Sequence, residues 1–211
     1  MTIEWRGEGC FEIASTGGHF SLITELPSRD SGLLAPRSKT DVLISIWGGL
    51  EDTLFSKECI DRLVIAGPGE YEVKEVFIKG LKVSSRGASV KTIYKITMED
   101  IKLGYLGELS KKEMNPDVIG FLDDIDILFV PVGGEGMLDA EDAVEIVNQI
   151  EPKIVIPMYY KIPNLKRKAG SLEAFLKEMG ASNGHKPEEK LLVKFKDLNF
   201  EETKIIPLVP L

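Results

Sequence analysis

The sequence is poor in the residues that bind zinc. Its 211 residues include only two histidines, His19 and His185, and two cysteines, Cys10 and Cys59. None of them forms an HxH, HExxH or CxxC pair, which are the spacings that bring two ligands to one metal ion. We expect His19 on an exposed strand position, His185 in a polar loop, and both cysteines as small buried side chains of a protein in a reducing compartment.

Other function classes are excluded by what else is missing. No segment approaches the roughly 20 apolar residues that span a bilayer, and the charged start lacks the apolar stretch of a signal peptide. We therefore predict a cytoplasmic protein without membrane contact. The net charge of −8 argues against nucleic acid as a partner, and the basic cluster Lys166–Lys168 is typical of a solvated face. An unidentified small molecule or protein, or further copies of the chain, remain as partners.

The composition is that of an ordinary folded domain, with 43% hydrophobic and 28% charged residues. We predict one domain over residues 1–211. The first half is typical of strands, at 2–6, 10–14, 19–24, 41–46 and 63–66. Residues 71–97 predict two or three further strands, broken at Gly80 and at Arg86-Gly87, and 101–106 pairs with 90–97 as a hairpin.

The second half alternates strands and helices. Helices are predicted after Asn115, after Asp139 up to Pro152, and from Ser171 to Gly180, because each begins with a capping side chain. Strands are predicted at 126–131, 153–157, 191–196 and 204–208. Many strands followed by alternating strands and helices favour an α/β fold in which two sheets pack face to face with helices outside.

Several motifs, in order along the chain, resemble those of one family. They are Ile3–Ile13, Asp41–Glu51, Gly67–Val73, Leu103–Leu109, Phe129–Gly134 and Lys153–Tyr160. The first resembles an opening W-L-G-H-S-C-F-x-I, the second D-V-V-L-V-T-H-x-H-x-D-H and the last P-x-x-x-I-P-M-H-Y. Together they resemble the ascorbate-6-phosphate lactonase-like branch of the metallo-β-lactamase superfamily, which implies a four-layer αββα sandwich with a two-metal hydrolase site at one edge.

The resemblance also implies where the metal ligands would lie, and this sequence departs from the pattern there. The histidine beside the site in the opening motif is replaced by Glu8. The positions that correspond to the ligands are Ile46, Gly48, Leu50, Glu51, Tyr105, Glu108 and Tyr159. None is a histidine, so histidine-based zinc hydrolysis is predicted to be absent and no cofactor is predicted.

The same positions leave several hypotheses open. In the first, the chain is a non-hydrolytic binding or interaction module whose former metal pocket is filled by apolar and aromatic side chains, with Glu8, Trp47, Glu135 and Tyr160 also at the pocket. In the second, Glu51 and Glu108 hold Mg²⁺, Mn²⁺ or Ca²⁺ through oxygen ligands for a hydrolase.

A third hypothesis is a metal-free enzyme in which the catalytic candidates Glu8, Glu108, Tyr105 and Tyr159 perform acid–base chemistry. A fourth uses Cys10 as a nucleophile, although no flanking motif supports it.

Overall fold

Two β-sheets form the framework. The structure, a computed structural model, describes residues 1–28, 30–48, 62–181 and 186–211. Its strands are β1 (Thr2–Trp5), β2 (Phe11–Ala14), β3 (Ser21–Thr24), β4 (Val42–Ile44), β5 (Trp47–Gly48), β6 (Leu63–Ile65), β7 (Gly69–Val73), β8 (Val76–Arg86), β9 (Ser89–Met98), β10 (Ile101–Tyr105), β11 (Ile127–Pro131), β12 (Ile154–Met158), β13 (Leu191–Leu192) and β14 (Lys204–Ile205).

The sheets are both mixed. The first has the order β13-β1-β2-β3-β4-β6, in which β1 to β3 form an antiparallel meander and β4 and β6 are parallel to β3. The second has the order β14-β12-β11-β10-β9-β8-β7, with β5 also paired to β9. Strands β10, β11, β12 and β14 are parallel, and the predicted β9–β10 hairpin is confirmed.

The α-helices of the described residues lie where capping side chains predicted them: α1 (Pro116–Phe121), α2 (Ala140–Ile150) and α3 (Leu172–Glu178). The side chains of Asn115, Asp139 and Ser171 each accept a hydrogen bond from a backbone amide in the first turn. These bonds stabilise amides that a helix start leaves unpaired. Among the described residues, no helix combines the length and apolar character required to cross a bilayer.

The main core lies between the two sheets. It is built from the inward faces of strands in both, and Phe11 of the first sheet meets Phe129 of the second edge to face, with ring centroids 4.7 Å apart. The predicted α/β fold of two facing sheets with helices is therefore confirmed. A smaller cluster of Cys10, Ile23 and Leu43 lies apart from this core.

Some predicted elements were wrong in extent. Gly80 does not end a strand, since β8 runs through it; a side chain there would lie 2.7 Å from the Gly67 carbonyl oxygen, so close packing requires glycine. The chain turns instead at Lys74 and Glu75, both with positive φ. The predicted strand at 191–196 is shortened to Leu191–Leu192, because a 3-10 helix follows at Phe195–Leu198.

Candidate functional site

The segments that follow several strands meet at one edge of the two sheets. They are the β1–β2 loop, the residues after β3, the loop after β10, and the chain after β12. Together they enclose a cavity of about 130 Å³, and the residues around it are Glu8, Gly9, Glu25, Leu26, Pro27, Ser28, Glu108, Tyr159 and Arg167. The edge of the sheets to which the resemblance assigns a metal site thus carries a small, strongly polar pocket.

Two buried tyrosines pack against Gly9, and one of them, Tyr159, lines this pocket. The Tyr105 hydroxyl donates a 2.8 Å hydrogen bond to the Gly9 carbonyl oxygen, and the Thr24 hydroxyl donates a 2.6 Å bond to the same atom. Tyr159 hydrogen-bonds to Tyr105 and both rings are buried. Burial raises the pKa of both hydroxyls well above the ordinary range. These hydroxyls therefore remain neutral and link the two sheets.

Glu8 and Tyr159 are held in the left-handed backbone region, with φ of 49° and 60°. This conformation is uncommon for residues other than glycine and unusual for a bulky side chain. The Glu8 carbonyl accepts hydrogen bonds from the Trp5 indole, at 2.9 Å, and from the Tyr159 amide, at 3.4 Å. The loop conformations at the pocket are thus fixed by contacts from both sheets.

Arg167 provides the positive charge of the pocket. Its Nε lies 3.1 Å from Oε1 of Glu8, and its guanidinium stacks 5.0 Å above the ring of Tyr159. The prediction that the Lys166–Lys168 cluster is a solvated face was wrong for Arg167, because the chain after β12 turns this side chain inward. Burial raises the pKa of Glu8, the Glu108 charge adds to this rise, and Arg167 opposes it.

Glu25 is an acidic residue of the pocket that the sequence did not reveal. It follows β3 directly, and its Oε1 accepts a 2.7 Å hydrogen bond from the Ile46 amide. Removal from water raises its pKa to about 7, and the carboxylates of Glu108 and Glu8 add to the shift. The sequence offered one signal for Glu25. It is an acidic residue immediately after an apolar strand, at an edge where other candidates converge.

Glu108 is connected to a second group of charges behind the pocket. Its Oε2 accepts a 3.4 Å hydrogen bond from the Trp47 indole, and its backbone oxygen accepts a 2.5 Å bond from Lys91. The Lys91 ammonium also binds both oxygens of Glu113, and lies 5.5 Å from the centre of the Trp47 ring. A buried ion pair thus supports the backbone at Glu108.

The remaining predicted site residues are scattered. Ile46 is buried against Gly107, and Gly48 is buried too close to the Ala66 carbonyl for any side chain. Glu135 is exposed in a turn and does not line the pocket. Tyr160 is buried away from it, with its hydroxyl donating to the Leu208 carbonyl. Leu50, Glu51, Cys59 and His185 lie outside the described residues.

Two further predictions concern His19 and Cys10. His19 is exposed as predicted, but it lies in the turn before β3 rather than on the strand. Cys10 is buried as predicted. Burial and the nearby Glu25 carboxylate raise the pKa of its thiol. Because the nucleophile is the thiolate, this environment disfavours the hypothesis of a Cys10 nucleophile.

The pocket residues that the structure describes do not offer the donor set of a two-metal site. Zinc sites of hydrolases use about three protein ligands, mostly imidazole, thiolate or carboxylate, whereas the described ligand positions present Ile46, Gly48, two tyrosines and one glutamate. The three carboxylates are already engaged, Glu8 by Arg167, Glu25 by a backbone amide and Glu108 by Trp47. Within residues 1–28, 30–48, 62–181 and 186–211, no group of three acidic, histidine or cysteine side chains could hold a metal ion.

We predict that Gly9→Ala destabilises the protein. A Cβ at this position would lie 2.3 Å from the Tyr159 hydroxyl and 2.6 Å from the Tyr105 hydroxyl. We expect a loss of about 1–3 kcal/mol in the free energy of unfolding, as for other overpacked sites, measured by urea denaturation. The control is Gly120→Ala in α1, where a Cβ meets nothing within 4 Å and no loss is expected. Equal stability of the two variants would show that the tyrosines are not packed against Gly9.

Comparison with known proteins places this geometry in a family. Residues 2–159 match the family described as the β-lactamase superfamily domain. The chain belongs to the β-lactamase superfamily. The resemblance of the sequence motifs to this superfamily is therefore confirmed.

Individual proteins are similar to this chain over most of their length. A UPF0173 protein of Pyrococcus abyssi is 27% identical over 201 residues, covering 85% of this chain and 90% of that protein. A Thermotoga maritima structure, assigned to the Zn-dependent hydrolases of the metallo-β-lactamase superfamily, superposes with a TM-score of 0.77 at 24% identity, covering 99% of each chain. Igni18 of Ignicoccus hospitalis, described as a metallo hydrolase, gives a TM-score of 0.64 at 15% identity, covering 92% of this chain and 98% of that one. The structural likenesses establish the shared fold.

Proposed function

We propose that this chain is a non-hydrolytic member of the superfamily that acts as a binding or interaction module. The observation that carries the proposal is the burial of the side chains at the expected ligand positions. Ile46, Tyr105 and Tyr159 occupy positions at which the resemblance implies ligands, and all three are buried in the protein's own packing. Hydrogen bonds around the Gly9 carbonyl join the sheets there in place of a metal cross-link.

The electrostatics of the pocket support the same proposal. Three carboxylates and one guanidinium surround a cavity of about 130 Å³, enough for only a few non-hydrogen atoms. Metal-dependent hydrolysis in general uses a metal-bound water as the nucleophile, and the described residues leave no ligand set for one. Proteins of this fold that are named hydrolases therefore share the scaffold with this chain, while we infer that the reaction itself has been lost. A cytoplasmic location and the absence of nucleic-acid and membrane partners stay predictions.

We predict that the purified chain contains less than one equivalent of metal. Protein prepared without chelator is analysed by inductively coupled plasma mass spectrometry, and its melting temperature is measured with and without Zn²⁺ and Mn²⁺. Because the described ligand positions lack three free donors, we expect substoichiometric metal and no stabilisation by either ion. The Thermotoga maritima protein, purified in the same way, is the positive control.

Stoichiometric metal would contradict the proposal, most directly if Glu108→Gln released it. That outcome would favour the hydrolase with Mg²⁺, Mn²⁺ or Ca²⁺ on Glu51 and Glu108. Metal that Glu108→Gln does not release would also contradict it, because another ligand set would then exist.

A metal-free hydrolase is the second candidate function, favoured by the pKa of about 7 at Glu25. A carboxyl group that titrates near neutral pH beside other acids suits general acid–base catalysis. This candidate requires hydrolysis of an activated ester, such as nitrophenyl acetate, that resists chelator and is lost in Glu25→Gln. Equal rates for wild type and Glu25→Gln would exclude this role for Glu25.

A further inference from the structure

A groove on the helical side of the second sheet is separate from the edge pocket and shares no residue with it. It has a volume of about 680 Å³ and runs between α1, α2 and the 3-10 helix Lys111–Glu113. Pockets for small molecules have volumes of about 300–1,000 Å³. The groove is therefore of the size that takes a small molecule of several rings or a short chain.

The floor of the groove is apolar and its rim is charged. Met114 and Ile119 supply the apolar surface, and Leu138 and Ile146 are buried beneath it. An apolar body placed on this floor removes water from both surfaces, which is the main source of binding energy for such sites.

The rim selects positive charge. It carries two carboxylates, Asp142 and Glu145, against one ammonium, that of Lys111. Lys111 Nζ lies 2.5 Å from Asp142 and 3.9 Å from Glu145, while its side chain remains 68% exposed. The protein's own lysine thus shows that an ammonium group fits between these carboxylates, and an exposed lysine can move aside at small cost.

We propose that this groove binds a small molecule with an apolar body of one or two rings and a primary ammonium group. The body lies on Met114 and Ile119, and the ammonium binds Asp142 and Glu145 in place of Lys111. This inference is independent of the function proposed for the edge pocket.

Gly120 offers a direct test, since it lines the groove on α1 and a Cβ there meets nothing within 4 Å. Gly120→Leu places a side chain in the groove from a position where the Cβ meets no neighbour. Leucine is a better helix former than glycine, so we expect the fold to be retained. The probe is naphthylmethylamine, a bicyclic primary amine, and its binding to the full chain is measured by isothermal titration calorimetry. We expect the affinity to fall by about tenfold or more in Gly120→Leu, because the apolar contact is lost.

Two comparisons test the charge preference. Naphthalenemethanol is neutral and naphthoate is anionic, so both are expected to bind more weakly than the amine. Lys111→Ala is expected to bind the amine more tightly, because Asp142 and Glu145 lose their internal cation. The control is Ala174→Leu, which adds the same side chain at an exposed position of α3 that does not line the groove, and its affinity should equal that of wild type.

The proposal is overturned if Gly120→Leu binds the amine as wild type does, or if naphthoate binds as tightly as the amine. It is also overturned if the amine does not bind and wild type is a dimer that Gly120→Leu converts to monomer in analytical ultracentrifugation. In that case a second copy of the chain, not a small molecule, covers the groove.

Discussion

Glu25→Gln is expected to make the protein more stable than wild type at pH 8 and equally stable below pH 4.5. The pKa of Glu25 rises from an ordinary value of 4.5 to about 7 in the folded protein. Between these values the folded state retains a proton that the unfolded state has released, so stability falls as the pH rises. This contribution to stability is fully present below the pKa of Glu25 in the unfolded state. It is lost as the pH rises past the pKa of Glu25 in the folded state.

The size of this effect follows from the shift. A difference of this extent corresponds to about 3 kcal/mol of unfolding free energy between the two ends of the window. Glutamine retains the oxygen that accepts the hydrogen bond from the Ile46 amide but cannot ionise. The variant should therefore gain most of this amount relative to wild type at pH 8.

Urea denaturation at a series of pH values measures the difference between the two proteins. The control is Glu201→Gln, because the Glu201 side chain is exposed, and its curve should run parallel to that of wild type. If the stability difference between Glu25→Gln and wild type does not change between pH 4.5 and pH 8, Glu25 does not titrate in this window and the pocket is more hydrated than its contacts indicate.

Lys91→Met is expected to destabilise the protein more than Gly9→Ala does. The Lys91 side chain is 8% exposed and that of Glu113 is 13% exposed, with 2.9 Å between their charged atoms. Breaking a buried pair by removing one partner typically costs about 3–5 kcal/mol, because the other charge remains without water. Methionine also cannot donate to the Glu108 carbonyl oxygen, so the backbone of the edge pocket loses a support.

Chemical denaturation of Lys91→Met, Glu113→Gln and the double variant measures the pair directly. We expect the double variant to lose less stability than the two single variants lose in sum, because it leaves no uncompensated charge. Lys79→Met removes a lysine from an exposed pair with Glu70 and should change stability little. A loss in Lys91→Met no larger than in Lys79→Met would mean that the pair contributes no more than a surface contact.

Both predictions concern the charged groups and contacts that hold the edge pocket together. In a two-metal site the ion itself ties the ligand loops together. Here the loops are joined by the tyrosine hydroxyls at Gly9, by Arg167 on Glu8 and by Lys91 beneath Glu108. Each of these contacts joins segments that are separate in the sequence.

Local sequence patterns predicted the elements well where local chemistry decides them. Asn115, Asp139 and Ser171 begin their helices because a capping side chain needs only the amides two or three residues ahead. The hairpin at Met98–Ile101 is likewise a local turn, with Glu99 and Asp100 both at positive φ. Gly80 failed as a strand end because the reason for glycine there is contact with Gly67, which no local pattern records.

The same distinction between local pattern and tertiary contact applies to the edge pocket. The sequence by itself determined the superfamily fold, through motif order, and it predicted that the ligand positions implied by the resemblance carry no histidine. Only the tertiary structure decided that Glu25 and Arg167 join Glu8 and Glu108, and that Glu135 and Tyr160 do not line the pocket. The physical reason is that charge, burial and pKa in a pocket depend on which loops meet at the edge of the sheets, and those loops are distant in sequence.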